Sequence, residues 1–338
     1  MGADNPVLFF RAQNPLSRAI QDLVVKHLRE DTTAADAPAR EFGMLESLHG
    51  HPLLRGQGAD VPRPLARWDD LRTLVMERAP GRRLPDVLRR DNRLGSPAAK
   101  RRLADLMDQC GACLRALHQI GQLDAAFVLD DRQGPLNDLA FRLRGAIDKS
   151  RRQGLFEDGA QREMNRLIDT AIAELAGRRV TRVRAHGDYY LGNLLSDGRT
   201  LWLIDFGFSR PGLIHHDLSR FLLSLRTINP YPENLLYDFA APGVFRQRFL
   251  SAYFGDSAQP AQQDRLLLSL FSLSALLYHY LRRARLHADG AIGARLYLRL
   301  LRPVYRRLLR QTLTELRTSL SDSAARRVSQ RSGRRPRR

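Results

Sequence analysis

Asp188 and Asn193 stand five residues apart in His186-Gly187-Asp188-Tyr189-Tyr190-Leu191-Gly192-Asn193, and Asp205 follows twelve residues later, before Phe206-Gly207. Gly187 and Gly192 permit the unusual backbone angles of a tight polar loop. Asp197-Gly198 is a strong turn pair, so Leu194-Leu195 and Leu201–Ile204 read as a hairpin that carries Asp205 back toward Asn193. An acid that ends a buried strand is poorly explained by packing. Two carboxylates and one amide oxygen gathered across such a hairpin are suited to hold Mg2+ against phosphates.

The elements that must position these groups fall into two parts. Val7–Arg11 and Asp22–His27 read as short strands around Asn14-Pro15, and a helix follows near Pro38 with Glu41, Leu45 and Leu48 on one face. Leu65–Trp68 and Thr73–Glu77 read as a hairpin, closed by Ala79-Pro80-Gly81. Beyond this point the pattern is helical: Leu84–Arg90, a long helix from Pro97 to about His118, and Ala160–Gly177. Leu123–Phe156 reads as irregular, with Arg142, Arg144, Lys149, Arg151 and Arg152 grouped in it. After the short strand Val180–Arg184 and the polar loop, helices recur over Ser219–Leu225, Val244–Ala252, Asp264–Arg285 and Ala291–Leu316. The layout predicts a small strand-rich unit over 1–79, a larger helical unit over 80–320, and a disordered basic tail over 321–338.

Composition bounds the partners. With 43% hydrophobic residues in 338, the chain can build a substantial core. The formal charge is +19 and is concentrated: Arg282–Arg310 holds nine Arg against one Asp, and Ser321–Arg338 seven against one. Such fields attract phosphate-rich partners. No segment reads as a specific nucleic-acid reader. Lys26, Lys100 and Lys149 are the only lysines, which singles out a Lys inside a strand. Cys110 and Cys113 sit in an apolar helix pattern and read as buried thiols. No leader is read at the N-terminus, and Leu266–Leu281 is shorter than the ~20 residues a membrane helix needs. A cytoplasmic protein, peripheral at the inner membrane at most, is expected. Consecutive histidines at 215 and 216 point in different directions and read as structural. Tyr189 and Tyr190 either line a pocket or pack.

His-Gly-Asp with Asn five residues beyond the Asp, then Ile-Asp-Phe-Gly, resembles the aminoglycoside phosphotransferase and choline kinase group. That resemblance implies an α+β, protein-kinase-like two-lobe fold with a small strand-rich N-lobe and a larger helical C-lobe. It implies that ATP and Mg2+ are used to phosphorylate a hydroxyl of a small molecule or glycan. By the same resemblance Asp188 orients and deprotonates the acceptor hydroxyl, Asn193 and Asp205 bind Mg2+, His186 holds the loop, and Asp217 buttresses it. Val24-Val25-Lys26 is similar to the strand whose Lys meets nucleotide phosphates, and Arg40-Glu41-Phe42 to the helix whose Glu pairs with that Lys. Lys26 and Glu41 therefore complete the implied catalytic set with Asp188. Leu74-Val75-Met76-Glu77 is similar to the strand entering the hinge, which places the base near Glu77, Arg78 and Ala79.

Two features depart from the group. Gly2 is the only glycine ahead of Lys26, so a Gly-rich phosphate loop is missing. The lid is shortened, or translation begins further upstream. Gly207 stands where choline kinases tend to carry an acid, which disfavours choline. The Arg-rich segments disfavour cationic aminoglycosides and suit an acidic, phosphorylated or lipid-linked sugar. A fainter likeness to the lipopolysaccharide-core kinases points the same way, with contact to an anionic membrane surface. A kinase-like scaffold without turnover is the alternative that the missing loop motivates.

Overall fold

A computed structural model describes residues 6–13, 20–29, 35–91, 96–227, 241–255, 260–286 and 292–332. In chain order the elements are β1 (Val7–Gln13), β2 (Ile20–His27), α1 (Ala37–Leu48), α2 (Pro52–Arg55), β3 (Ala59–Asp60), β4 (Pro64–Trp68), β5 (Thr73–Glu77), β6 (Arg82–Arg83), α3 (Leu84–Asp91) and α4 (Pro97–Ile120). They continue as β7 (Gln122–Val128), α5 (Pro135–Arg152), α6 (Asp158–Leu175), β8 (Arg179–Ala185), β9 (Leu194–Ser196), β10 (Leu201–Leu203), β11 (Arg210–Leu213), α7 (His215–Thr227), α8 (Ala241–Phe254), α9 (Gln262–Leu286) and α10 (Ile292–Ser332). The chain divides into two compact units. One comprises Met1–Leu123, Val183–Pro211 and Ser224–Ser257; the other comprises Asp124–Arg182, Gly212–Leu223 and Ala258–Arg338.

The first unit is built on an antiparallel sheet of order β1-β2-β5-β4. β2 lies inside it, and its Lys26 is opposed by Val7 on one side and Leu74 on the other. α1 begins with Pro38 in its first turn, where the missing amide costs nothing. Its buried positions Ala37, Glu41, Leu45 and Leu48 form one helical stripe. A carboxylate in that stripe demands a cation from another element, because burying it alone is prohibitive. The Asn14–Ser17 turn lies outside the described residues.

α4 starts at Ser96, whose hydroxyl accepts from the Ala99 amide, and it buries Leu103, Met107, Cys110, Leu114 and Leu117 at three- and four-residue spacing. It packs against α8 so closely that a Cβ on Gly111 would lie 2.3 Å from the Phe249 carbonyl oxygen. A small sheet of order β3-β10-β9-β6 carries the β9–β10 hairpin, in which Leu194 opposes Leu203. A three-stranded sheet has the order β11-β8-β7.

The second unit has a helical core that includes Leu143 and Ile147 of α5, Ile168 of α6, Leu270 and Leu277 of α9, and Leu309 and Leu316 of α10. Here the structure corrects the reading of Leu123–Phe156 as irregular. That stretch contains β7 and the 18-residue α5. Leu136, Leu139, Ala140, Leu143, Ala146 and Ile147 do follow a helical period, but most of the interleaved basic residues lie on the solvent face and mask it. The basic tail is corrected in part as well. α10 runs on to Ser332, because Ala324-Ala325-Arg326-Arg327 are strong helix formers that propagate a helix already nucleated. Residues 333–338 lie outside the described ones. Some of the arginine charge is structural: Arg302 and Arg306 donate to the carbonyls of Gln153, Gly154 and Leu155 just past the end of α5. Among the described residues no helix is long and apolar enough to cross a membrane.

Candidate active site

The buried stripe of α1 finds its cation in β2. Lys26 Nζ donates to both carboxylate oxygens of Glu41 at 2.8 Å, and to Asp205 Oδ1 at 2.6 Å. Lys26 is 6% exposed and Glu41 0%, so neither charge is shared with bulk water. Burial opposes the Lys26 charge, yet the two carboxylates outweigh it and hold its pKa well above the usual value. Burial likewise opposes ionisation of Asp205, but Lys26 prevails and keeps that carboxyl below its ordinary range. Asp205 is therefore a carboxylate at any physiological pH. Glu41 is pushed upward by its complete burial, against the pull of Lys26.

The hairpin brings the second pair of groups together. The Ile204 amide donates to the Asn193 carbonyl oxygen at 3.1 Å, which seats Asp205 next to a residue bonded to the end of the loop. Asn193 Nδ2 donates to the Asp188 carbonyl oxygen at 3.0 Å and to Asp188 Oδ2 at 3.2 Å. With its nitrogen committed to Asp188, Asn193 keeps Oδ1 as the oxygen it can offer to a cation. Asp205 has φ 68°, one of two non-glycine residues with positive φ among those described. A left-handed Asp costs of order 1 kcal/mol and persists only where its surroundings over-determine it, here through Lys26 and the Gly207 amide.

The loop itself is pinned from within the first unit. His186 is fully buried, its ring tilted over Phe206 at 4.5 Å, and its Nδ1 accepts from the Asp188 amide at 3.3 Å. Gly187 has φ 85°, and a Cβ there would lie 2.0 Å from the Phe208 carbonyl oxygen. Two supports escaped the sequence. Tyr189 is fully buried and donates its hydroxyl to the Cys110 carbonyl oxygen of α4 at 2.8 Å, so of the tyrosine pair this one packs. Ser224 Oγ accepts from the Leu191 amide at 3.2 Å. Nothing in the sequence around Ser224 distinguishes it from other helix serines.

At the hinge segment, Glu77 turns its carboxylate to Gln21 at 2.6 Å and Arg63 at 2.8 Å. The Glu77 and Arg78 amides are already bonded, to the carbonyls of Arg63 and Asp22. Asp217 is fully buried in the first turn of α7. Cys110 and Cys113 are free buried thiols, and burial pushes Cys113 up to about 12.

The profile of the phosphotransferase enzyme family matches residues 1–264. The chain belongs to that family. A phosphotransferase-type reaction follows from this membership in general terms. Solved structures share the fold of this family member. A glucosamine kinase superposes with TM-score 0.57 at 20% identity, over 87% of this chain and 76% of that one. An amicoumacin kinase in complex with AMP-PNP and Ca2+ gives 0.54 at 14%, over 90% and 86%. A choline/ethanolamine kinase family protein from Mesorhizobium loti gives 0.52 at 14%, over 92% of each. At these identities the likeness establishes the protein-kinase-like α+β fold, strand-rich toward the N-terminus and helical beyond. None of the curated proteins matches the chain.

Proposed function

We propose that this phosphotransferase moves the γ-phosphoryl group of ATP, with Mg2+, to a hydroxyl of a small molecule or glycan. The observation that carries the reading is the buried Lys26–Glu41 pair with the half-buried Asp205 on the same ammonium, assembled from a strand, a helix and a hairpin end within one compact unit. Such an arrangement is expensive to desolvate and has no packing rationale.

Phosphoryl transfer is catalysed by positioning and by matching charge. Glu41 fixes the Lys26 ammonium, which pairs with Asp205 until phosphate oxygens compete for it. The chemistry of the donor set fits Mg2+: Asp205 supplies an ionised carboxylate and Asn193 an amide oxygen, both hard ligands. When bound, the ion would offset charge on the transferring phosphoryl group. Among the described residues no three His, Cys, Asp or Glu side chains converge, so the remaining ligands would come from phosphate and water. Asp188 takes the acceptor proton, its rotamer held by the Asn193 amide. Glu77, Arg78 and Ala79 border the base through their backbone.

The net charge of +19 favours an acidic, phosphorylated or lipid-linked sugar as acceptor, presented at an anionic membrane surface. The test is an ATP-consumption screen of purified protein against neutral sugars, sugar phosphates, aminoglycosides and lipid-linked glycans, with Asp188→Asn as control. Turnover that needs an acceptor and Mg2+ and is lost in the variant supports the reading. Absence of Mg-nucleotide binding by calorimetry overturns it. That second result favours a kinase-like scaffold, which has one observation behind it: Gly2 is the only glycine before Lys26.

A further inference from the structure

β1 exposes aromatic side chains on both faces, and the register separates them. Opposed residues of an antiparallel pair share a face, as do residues two apart on one strand. Val7 opposes Lys26, Phe9 opposes Val24, and Arg11 opposes Asp22. On the other side Leu74 opposes Lys26 and Met76 opposes Val24, while the Arg78 amide bonds the Asp22 carbonyl. Phe9, Val24 and Arg78 therefore lie on the face that presents Lys26 to Glu41 and Asp205. Leu8 and Phe10 lie on the opposite face.

On the Lys26 face Phe9 is 62% exposed, unusual for an aromatic ring in a strand, and the Arg78 guanidinium carbon sits 5.2 Å from its centroid. Arg78 is also near Asp22 at 3.9 Å, and Asp22 accepts from Arg11 at 2.9 Å. The face thus carries an exposed aromatic ring beside the hinge segment. Lys26 follows Val24 two residues along β2 on the same face, about 7 Å from Cα to Cα. An apolar platform with a cation at that spacing matches a flat base followed by phosphates.

We propose that Phe9, flanked by the Arg78 guanidinium, is the platform on which the base of the nucleoside triphosphate stacks. The inference rests on the nucleotide-dependent reading above and assigns that reading a specific residue. Base–aromatic stacking is tolerant of base identity and is lost on truncation to Ala by a factor of about ten or more.

The test titrates full-length wild type, Phe9→Ala and Phe10→Ala with mant-ATP and Mg2+. Thermal melts of all three check that the exposed edge strand leaves the fold intact. Phe9→Ala is expected to bind about tenfold or more weakly, with Phe10→Ala unchanged. Phe9→Trp is expected to change its emission on adding Mg-ATP beyond the background of Trp68 and Trp202, while Phe10→Trp does not. Equal affinity in wild type and Phe9→Ala, or equal losses in both alanine variants, overturns the inference and leaves the phosphotransferase reading standing. If β1 instead joins a second copy edge to edge, both alanine variants shift the sedimentation coefficient alike and mant-ATP affinity stays at the wild-type value, which also overturns it. If wild type does not bind mant-ATP at all, the nucleotide reading itself falls and this inference with it.

Discussion

Lys26 and Glu41, 15 residues apart in sequence, form a two-pronged ion pair in which one ammonium meets both carboxylate oxygens at 2.8 Å, with Glu41 wholly shielded from water. Removing the cation alone strands a buried carboxylate. Lys26→Met is therefore expected to destabilise the protein by roughly 3–5 kcal/mol. The double variant Lys26→Met/Glu41→Leu should regain much of that, since a buried pair replaced by apolar groups is often neutral. Urea unfolding of the three proteins measures both effects. Nucleotide binding should stay impaired in the double variant.

Asp188 and Asp205 should separate kinetically. With an accepted substrate, Asp188→Asn is expected to lower kcat by ~100- to 10,000-fold while Mg-ATP affinity stays within a few-fold. Asp205→Ala is expected to abolish Mg2+-dependent nucleotide binding. Calorimetry with and without Mg2+, alongside initial rates, distinguishes them. Loss of nucleotide binding in Asp188→Asn would contradict the assigned role.

Gly111 marks the closest approach of α4 to α8. Alanine would gain up to ~1 kcal/mol in helix propensity. Its Cβ would meet a backbone carbonyl, not a yielding side chain, so the helices must part. Gly111→Ala is expected to cost a net of roughly 1–3 kcal/mol, visible as a lowered Tm.

His279 gives the second unit a pH dependence. Burial first, then Arg283, Arg220 and Arg282, lower its pKa to about 4, and its Nδ1 is paired with the Tyr305 hydroxyl at 2.7 Å. The native state keeps this ring neutral while the unfolded chain protonates near its ordinary value of 6.5. Its contribution is whole above that value and is lost as pH falls toward about 4, by at most ~3 kcal/mol. Urea midpoints at pH 7.5 and 4.5 should converge in His279→Gln relative to wild type.

Cys110 and Cys113 are both buried, with the Cys113 thiol raised to about 12. Neither should react with a thiol reagent such as DTNB in the native protein. Both should react within the dead time once guanidinium unfolds it.

The local geometry of the loop and hairpin was legible in the sequence. Asp197-Gly198 can only turn, and that turn places Asn193 beside Ile204 and hence Asp205. The helical stripe that contains Glu41 likewise announced a carboxylate needing a partner. Lys26 as that partner rested on resemblance, because a pair joined across 15 residues leaves no periodicity to read. The structure also decided what pattern could not. α5 was hidden because its arginines break the apparent polarity while facing solvent. Tyr189 and Tyr190 are neighbours of equal hydrophobicity, and only the approach of α4, which offers the Cys110 carbonyl, buries the first of them. The face on which Phe9 lies is set by strand register, and register depends on which strands pair. Sequence determines turns, periods and the residues that cannot be buried alone. Which distant group answers each demand is fixed only when the elements pack.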